Sequence, residues 1–362
     1  MKIGLVGLPT VGKTTLFNLL TGQNIEISGF STGKVESNVG IAKIPDRRID
    51  FLAAMYKPKK ITPATIEVID VPGLVSGSSA GKGVGNQFLD AIRKVDVLVH
   101  IVRVFENDAV IHADGDVDPM RDIETVNMEL LFSDLGVIEN RIQRIQTAKK
   151  VTKENLEELE VLKKCQAGLE EGLLIHNIDL SDEEREHLKT FGFLSEKPMI
   201  LVANIDESQL TSHDYPGKEA IMAYANERNV PFIEISAQSE LEINQLDEED
   251  KILFMEELGI TEPGIDKLAE TAYNYLGLIS FLTSGEDEVR AWPIKKNTPA
   301  KKAAGKIHSD IEKGFIRAEV TAFKDLEELG SVAKVKEKGL ARLEGKEYIV
   351  QDGDIINFRF NV

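Results

Sequence analysis

Gly7-Leu8-Pro9-Thr10-Val11-Gly12-Lys13-Thr14 follows the apolar run Ile3–Val6 directly and opens into Leu16-Phe17-Asn18-Leu19-Leu20. The stretch matches G-x-x-x-x-G-K-[ST] between a strand and a helix, the context that gives the pattern its physical meaning. Glycines let successive backbone N–H groups curl around phosphate oxygens. A lysine reaches the outer phosphates, and the next hydroxyl ligates Mg²⁺ at a helix N-terminus. Lys13 and Thr14 fill the last two roles. Thr10, Val11, Gly12 and Thr15 complete the expected phosphate cradle. A chance match in a glycine-rich turn lacks this setting.

Sixty-odd residues on, Val68-Ile69-Asp70-Val71-Pro72-Gly73 is an apolar strand ending in D-x-x-G. An aspartate before a glycine is ordinarily only a turn. Its order and distance behind the phosphate loop place Asp70 beside Mg²⁺ and the Gly73 N–H near a terminal phosphate, as in switch-type NTPases. Regulatory GTPases commonly carry a water-orienting Gln after that glycine, whereas Leu74 stands here and cannot hydrogen-bond water. Asn204-Ile205-Asp206-Glu207 occupies the frame of the GTPase motif N-K-x-D. An Asp there accepts two guanine donors, each contributing about 1.5–3 kcal/mol. The extra methylene of Glu207 displaces that carboxylate, so the frame predicts adenine over guanine, with GTP the weaker substrate. Asp206 lies one residue out of frame. Asn204, Ile205, Glu207 and Ser236, the last in a Ser236-Ala237-Gln238 loop like the S-A-K loop of GTPases, form the expected base site.

Outward from these motifs, apolar strands at Ile3–Val6, Ile66–Val71, Val95–Val104, Met199–Ala203 and Pro231–Ile235 predict an α/β sheet interrupted by an insertion. Asp118-Pro119 reads as a helix start. Stripes of Ile123, Leu130, Leu131, Leu135, Ile138, Ile142 and Ile145, then of Leu156, Leu159, Leu162, Cys165, Leu169 and Leu173, predict an antiparallel helical hairpin with Cys165 packed in its seam. After Gly277 short strands and turns predict a small α+β domain whose last strand alternates Ile356, Phe358, Phe360 and Val362. The expected division is a nucleotide-binding domain over 1–277, a helical insertion at 118–180 within it, and a C-terminal domain over 278–362.

With 362 residues, 42% hydrophobic and 29% charged, the chain is globular and multidomain rather than disordered or collagen-like. Its single cysteine excludes an internal disulfide. The N-terminus has no room for a secretory leader and no apolar run spans a bilayer, so a cytoplasmic protein without a membrane role is expected. The formal charge of −18 argues against a surface that coats nucleic acid, but residues 291–362 carry 14 basic and 11 acidic side chains. Lys295, Lys296, Lys301, Lys302 and Lys306 concentrate there, so a polyanion-facing surface is expected at the C-terminal end.

Together with Gly81–Leu89, Arg103–Asp108, Asp122–Thr125, Glu288–Trp292, Glu312–Val320 and Tyr348–Asp354, these motifs resemble the YchF-type subfamily of Obg-related P-loop proteins, the Obg-like ATPases, over nearly the whole chain. The resemblance implies a G domain with a coiled-coil insertion, a C-terminal TGS domain of β-grasp type, ATP as substrate with Mg²⁺, and ribosome association. It also implies that His112, after Phe105-Glu106-Asn107-Asp108, is the catalytic histidine standing in for the missing Gln, acting with Lys13. By itself a lone His112 in a polar loop reads as a solvent-exposed side chain. Two positions depart from the family. Thr10 stands where an Asn is linked to potassium coordination, which puts potassium stimulation in doubt. The first-switch Thr that ligates Mg²⁺ falls on Lys34, leaving nearby Thr32 as the candidate metal ligand. The expected function is an ATPase switch with a ribosomal partner, favoured as a monomer. Its alternatives are a nucleotide-gated binding module with vestigial hydrolysis, a GTPase, or a small-metabolite kinase, the last requiring a substrate lid.

Overall fold

The structure is a computed structural model and describes residues 1–26, 37–71, 73, 84–107, 109–112 and 115–361. The chain divides into two compact units, one of Met1–Ile41 with Glu67–Leu268 and the other of Ala42–Ile66 with Ala269–Val362.

The first unit is built on strands β1 (Lys2–Val6), β2 (Asn38–Lys43), β4 (Thr65–Asp70), β5 (Val97–Arg103), β6 (Met199–Asn204) and β7 (Phe232–Ile235), with β3 (Lys60–Thr62) belonging to the second unit. The sheet order is β2-β4-β1-β5-β6-β7. The pairs β1–β4, β1–β5, β5–β6 and β6–β7 are parallel. Every residue of β5 and β6 is buried, which is why those strands read as unbroken apolar runs. Helices α1 (Lys13–Thr21), α2 (Arg47–Tyr56) and α3 (Val84–Arg93) precede the insertion between β5 and β6.

Within that insertion α4 (Pro119–Gln146) begins as the sequence indicates, with Pro119 in its first turn and the Asp118 carboxylate accepting from the Arg121 N–H at 3.1 Å. A Thr152–Asn155 capping box starts α5 (Lys153–Glu170). The Arg141 guanidinium of α4 pairs doubly with Glu158 of α5 at 2.6 and 2.7 Å. Leu131, Ile138 and Ile145 meet Leu159, Leu162, Cys165 and Leu169 in one apolar seam. Burial pushes the Cys165 thiol up to about 11, which fits packing rather than redox chemistry. Leu156 and Leu173, expected in this seam, are exposed instead. Ile175, Ile178, Leu188 and Phe193 join the same apolar cluster, so its core continues past residue 180.

The second unit holds a mixed sheet ordered β11-β10-β12-β8-β9-β3, with β8 Leu278–Thr283, β9 Glu288–Lys295, β10 Phe315–Ala322, β11 Arg342–Glu344 and β12 Asp354–Phe360. β8–β9 and β10–β12 are antiparallel, while β12–β8 and β3–β9 are parallel. Ile356 and Phe358 of the last strand are buried as the alternation requires, whereas Phe360 faces solvent and Val362 lies outside the described residues. The division read from sequence is linear at residue 277. The observed units are interleaved, because α2 and β3 complete the second one. Within the second unit α2 is fastened by polar and specific contacts. Arg48 donates to both carboxylate oxygens of Asp46 at 2.7 and 2.8 Å and to Asp352 at 2.8 Å, while Asp352 accepts from the Ser280 N–H at 2.9 Å. Phe51 meets the Phe323 ring edge-on at 5.4 Å.

Removing Arg48 strands the largely buried carboxylate of Asp46 and the half-exposed Asp352. Arg48→Ala should cost this unit about 2 kcal/mol. Trp292, the sole tryptophan, lies in β9 and reports on this unit alone. A urea midpoint by Trp fluorescence equal to the wild type would refute the assignment.

Candidate functional site

Both glycines of the phosphate loop are fixed by backbone geometry. Gly7 has φ +149°, and a Cβ there would sit 2.4 Å from the Ile101 carbonyl oxygen of β5. Gly12 has φ +98°, and its Cβ would meet the Asn204 amide nitrogen at 2.4 Å. Gly12 precedes α1 without any side-chain cap, so the first N–H groups of α1 are left for a ligand. Between the glycines Thr10 takes φ +63°, a conformation that costs a β-branched residue on the order of 1–3 kcal/mol. Its hydroxyl donates to Pro9 O at 2.7 Å and to Ile111 O at 3.1 Å, tying the loop to the segment that carries His112.

Lys13 is buried, with Nζ donating to the carbonyls of Leu8 at 2.6 Å and Gly7 at 3.2 Å. Burial lowers its pKa to about 8, against the pull of Asp70. The Thr14 hydroxyl donates to Asp70 Oδ2 at 2.9 Å. Burial raises the Asp70 pKa, and Lys13, Thr14 and Asn38 oppose the shift. A hydroxyl and a carboxylate converging here are the hard oxygen donors that Mg²⁺ takes from protein while phosphates supply the rest. Gly73 packs on Pro9, a Cβ there lying 3.1 Å from the Pro9 backbone. Thr32 lies outside the described residues.

A cavity of 490 Å³ opens along the C-terminal ends of β1, β5 and β6, the side of a parallel sheet where ligands bind. Thr10, Gly12, Lys13, Thr14 and Thr15 form one end. Ile205 and Glu207, with Ala237 and Gln238, form the other. Asp206 caps α7 (Glu207–Ser212), its Oδ1 accepting from the Gln209 N–H and the Ser208 hydroxyl at 2.8 and 2.7 Å. The carboxylate of Glu207 is exposed. Asn204 is buried and spends its amide on structure: Nδ2 donates to Val11 O at 2.9 Å and Oδ1 accepts from the Ala237 N–H at 3.1 Å. Ser236 is likewise structural, its hydroxyl accepting from Ser239 N at the start of α9 (Ala237–Gln245). It does not line the cavity.

Sequence reasoning missed a third wall. Phe105, Glu106, Asn107 and Val110 line the cavity from the loop after β5. Their position after the central buried strand was the available signal. His112 is brought near but not into the cavity. It is buried rather than exposed, with Nε2 2.8 Å from Asp122 Oδ2 in the first turn of α4. Lys13 is the only cation among the described lining residues, whereas Glu106, Asp206 and Glu207 are acidic. The arrangement suits a ligand with a polyanionic end and hydrogen-bond donors at the other.

A family model described as a 50S ribosome-binding GTPase matches residues 2–134, and the C-terminal YchF-GTPase model, described as a protein of unknown function (DUF933), matches residues 278–361. The chain is 44% identical to the ribosome-binding ATPase YchF of Bacillus subtilis, covering 100% of both chains. It is 44% identical to the protein of the same name from Haemophilus influenzae, covering 100% of this chain and 99% of that one. The solved structure of the Schizosaccharomyces pombe YchF GTPase superposes with a TM-score of 0.87 at 32% identity, over 99% of this chain and 97% of that one. Sequence, sheet order and phosphate loop agree: the chain belongs to the YchF family of P-loop nucleotide-binding proteins.

Proposed function

We propose that this protein is an ATP-hydrolysing switch that associates with the ribosome in the cytoplasm and acts as a monomer. The observation that carries the base preference is the division of labour at β6. Asp206 is committed to capping α7, so Glu207 is the carboxylate left at the base end of the cavity, above the apolar Ile205. That supports adenine, whose single exocyclic amine asks for less than the paired donors of guanine. Glu207→Asp should move affinity toward GTP, incompletely, because Ile205 still replaces the GTPase lysine. Titration of both Mg²⁺ nucleotides reads it. Equal wild-type affinity for ATP and GTP, or a preference for GTP, would sink the adenine reading.

Thr14 and Asp70 are the residues that would hold Mg²⁺, with Thr32 proposed as the switch hydroxyl; the ion supplies charge neutralisation on the outer phosphates. Lys13 contacts phosphate in ground and transition states alike, whereas a water-positioning His112 matters to the transition state. To serve there, His112 turns away from Asp122. His112→Ala should therefore keep ATP affinity and lose at least about tenfold in turnover, an effect above 1.4 kcal/mol. Normal phosphate release by that variant would remove His112 from catalysis. No release by wild-type protein over many hours would favour the binding-module alternative, in which occupancy alone does the switching.

The names of the bacterial relatives support a ribosomal partner, and the mixed sheet of the second unit supports a β-grasp domain of TGS type. Of the five lysines singled out there, Lys295 donates to Leu276 O and Lys302 pairs with Glu312. Lys296, Lys301 and Lys306 are exposed, the last two on α12 (Ala300–Ile307), after α8 (Lys218–Glu227), α10 (Glu248–Glu257) and α11 (Gly264–Tyr275) in chain order. Replacing these three by Gln should weaken ribosome co-sedimentation and flatten its salt dependence by up to about three counterions. Unchanged sedimentation and salt slope would place the contact elsewhere.

A further inference from the structure

We propose that Arg103 is the positioning residue for the nucleoside wall of the cavity, an inference that rests on reading that cavity as a nucleotide site. Arg103 ends β5 and is 2% exposed, among the largest fully buried side chains. Its guanidinium addresses one loop. Nε donates to Phe105 O at 2.9 Å, Nη1 to Val110 O at 2.9 Å and Nη2 to Asn107 O at 3.4 Å, while Cζ lies 4.8 Å from the centre of the Phe105 ring. Among the described residues no carboxylate forms an ion pair with it; Asp122 and Glu106 act on it only from a distance.

Burying a permanent charge is expensive, and among the described residues its hydrogen-bond acceptors are carbonyls; an apolar side chain would fill this space at lower cost. What the charge achieves is convergence. The carbonyls of Phe105, Asn107 and Val110 turn toward one fork. The side chains of Phe105, Glu106, Asn107 and Val110 then form cavity wall. The turn is tightened by Ala109 N donating to Asn107 Oδ1 at 2.9 Å and Val110 N to Asn107 O at 3.1 Å. Lysine cannot reproduce this, because a single ammonium lacks the rigid fork that bridges separated acceptors. The phosphate loop has braces of its own, in Asn204 and the close approaches at Gly7 and Gly12, and meets this segment only through the Thr10–Ile111 hydrogen bond among the described residues.

The two ends of the ligand can therefore be separated. ATP probes the whole cavity, and inorganic tripolyphosphate probes only the phosphate end. Arg103→Met should weaken ATP binding by about tenfold or more while changing tripolyphosphate affinity by less than about twofold. Arg103→Lys should show the same split, less deeply. A parallel loss for both ligands, or unchanged ATP affinity in a variant with native circular dichroism, would overturn the inference. So would failure of both variants to fold, which would make Arg103 purely structural. Wild-type ATP affinity that survives Lys13→Ala would instead overturn the nucleotide reading itself, and this inference with it.

Discussion

The side-chain amide of Asn204 is the brace on which the site depends. One amide bonds Val11 of the phosphate loop and Ala237 at the head of α9, so three loops from three strands are held by a single planar group. Its approach requires glycine at position 12, just as the Ile101 carbonyl requires glycine at position 7. Backbone packing thus fixes the loop that phosphate chemistry would also ask for. The Asn of the base-site frame spends its amide on architecture while it also lines the cavity.

That bracing concentrates unfavourable electrostatics beneath the loop. Burial drives Lys13 toward neutrality and Asp70 toward protonation, although each partly rescues the other. On β5, His100 is held neutral with its pKa lowered to about 3 by burial and by Lys13. A polyphosphate at the head of α1 would add counter-charge beyond what Asp70 gives Lys13. Binding energy is then drawn from relief of desolvation as well as from new contacts.

Most of the sheet was legible because β5 and β6 are buried on both faces and their composition says so. The phosphate loop and D-x-x-G were legible because spacing and strand context constrain them together. What stayed hidden was set by tertiary partners. Helix α2 buries only Ile49 and Leu52, too weak a stripe to announce itself, and β3 has three residues. Leu156 continues the α5 spacing, yet it lies outside the seam. His112 reads as exposed because nothing local reveals that Asp122, ten residues on, returns to meet it. Arg103 looks like a strand-end cation, whereas its acceptors are carbonyls, which no sequence pattern displays.

The interleaving of the second unit also bears on how the chain matures. Strand β3 pairs with β9, and Thr62 is separated from its partner Glu288 by 226 residues. A ribosome adding about 5–20 residues per second needs roughly 10–45 s to cover that interval. Throughout it, the segment carrying α2 and β3 has been synthesised while the strand it joins has not been made. The nucleotide-binding sheet needs nothing beyond β7 and closes earlier. Folding of this protein is therefore ordered by synthesis, with an early segment kept waiting for the last quarter of the chain.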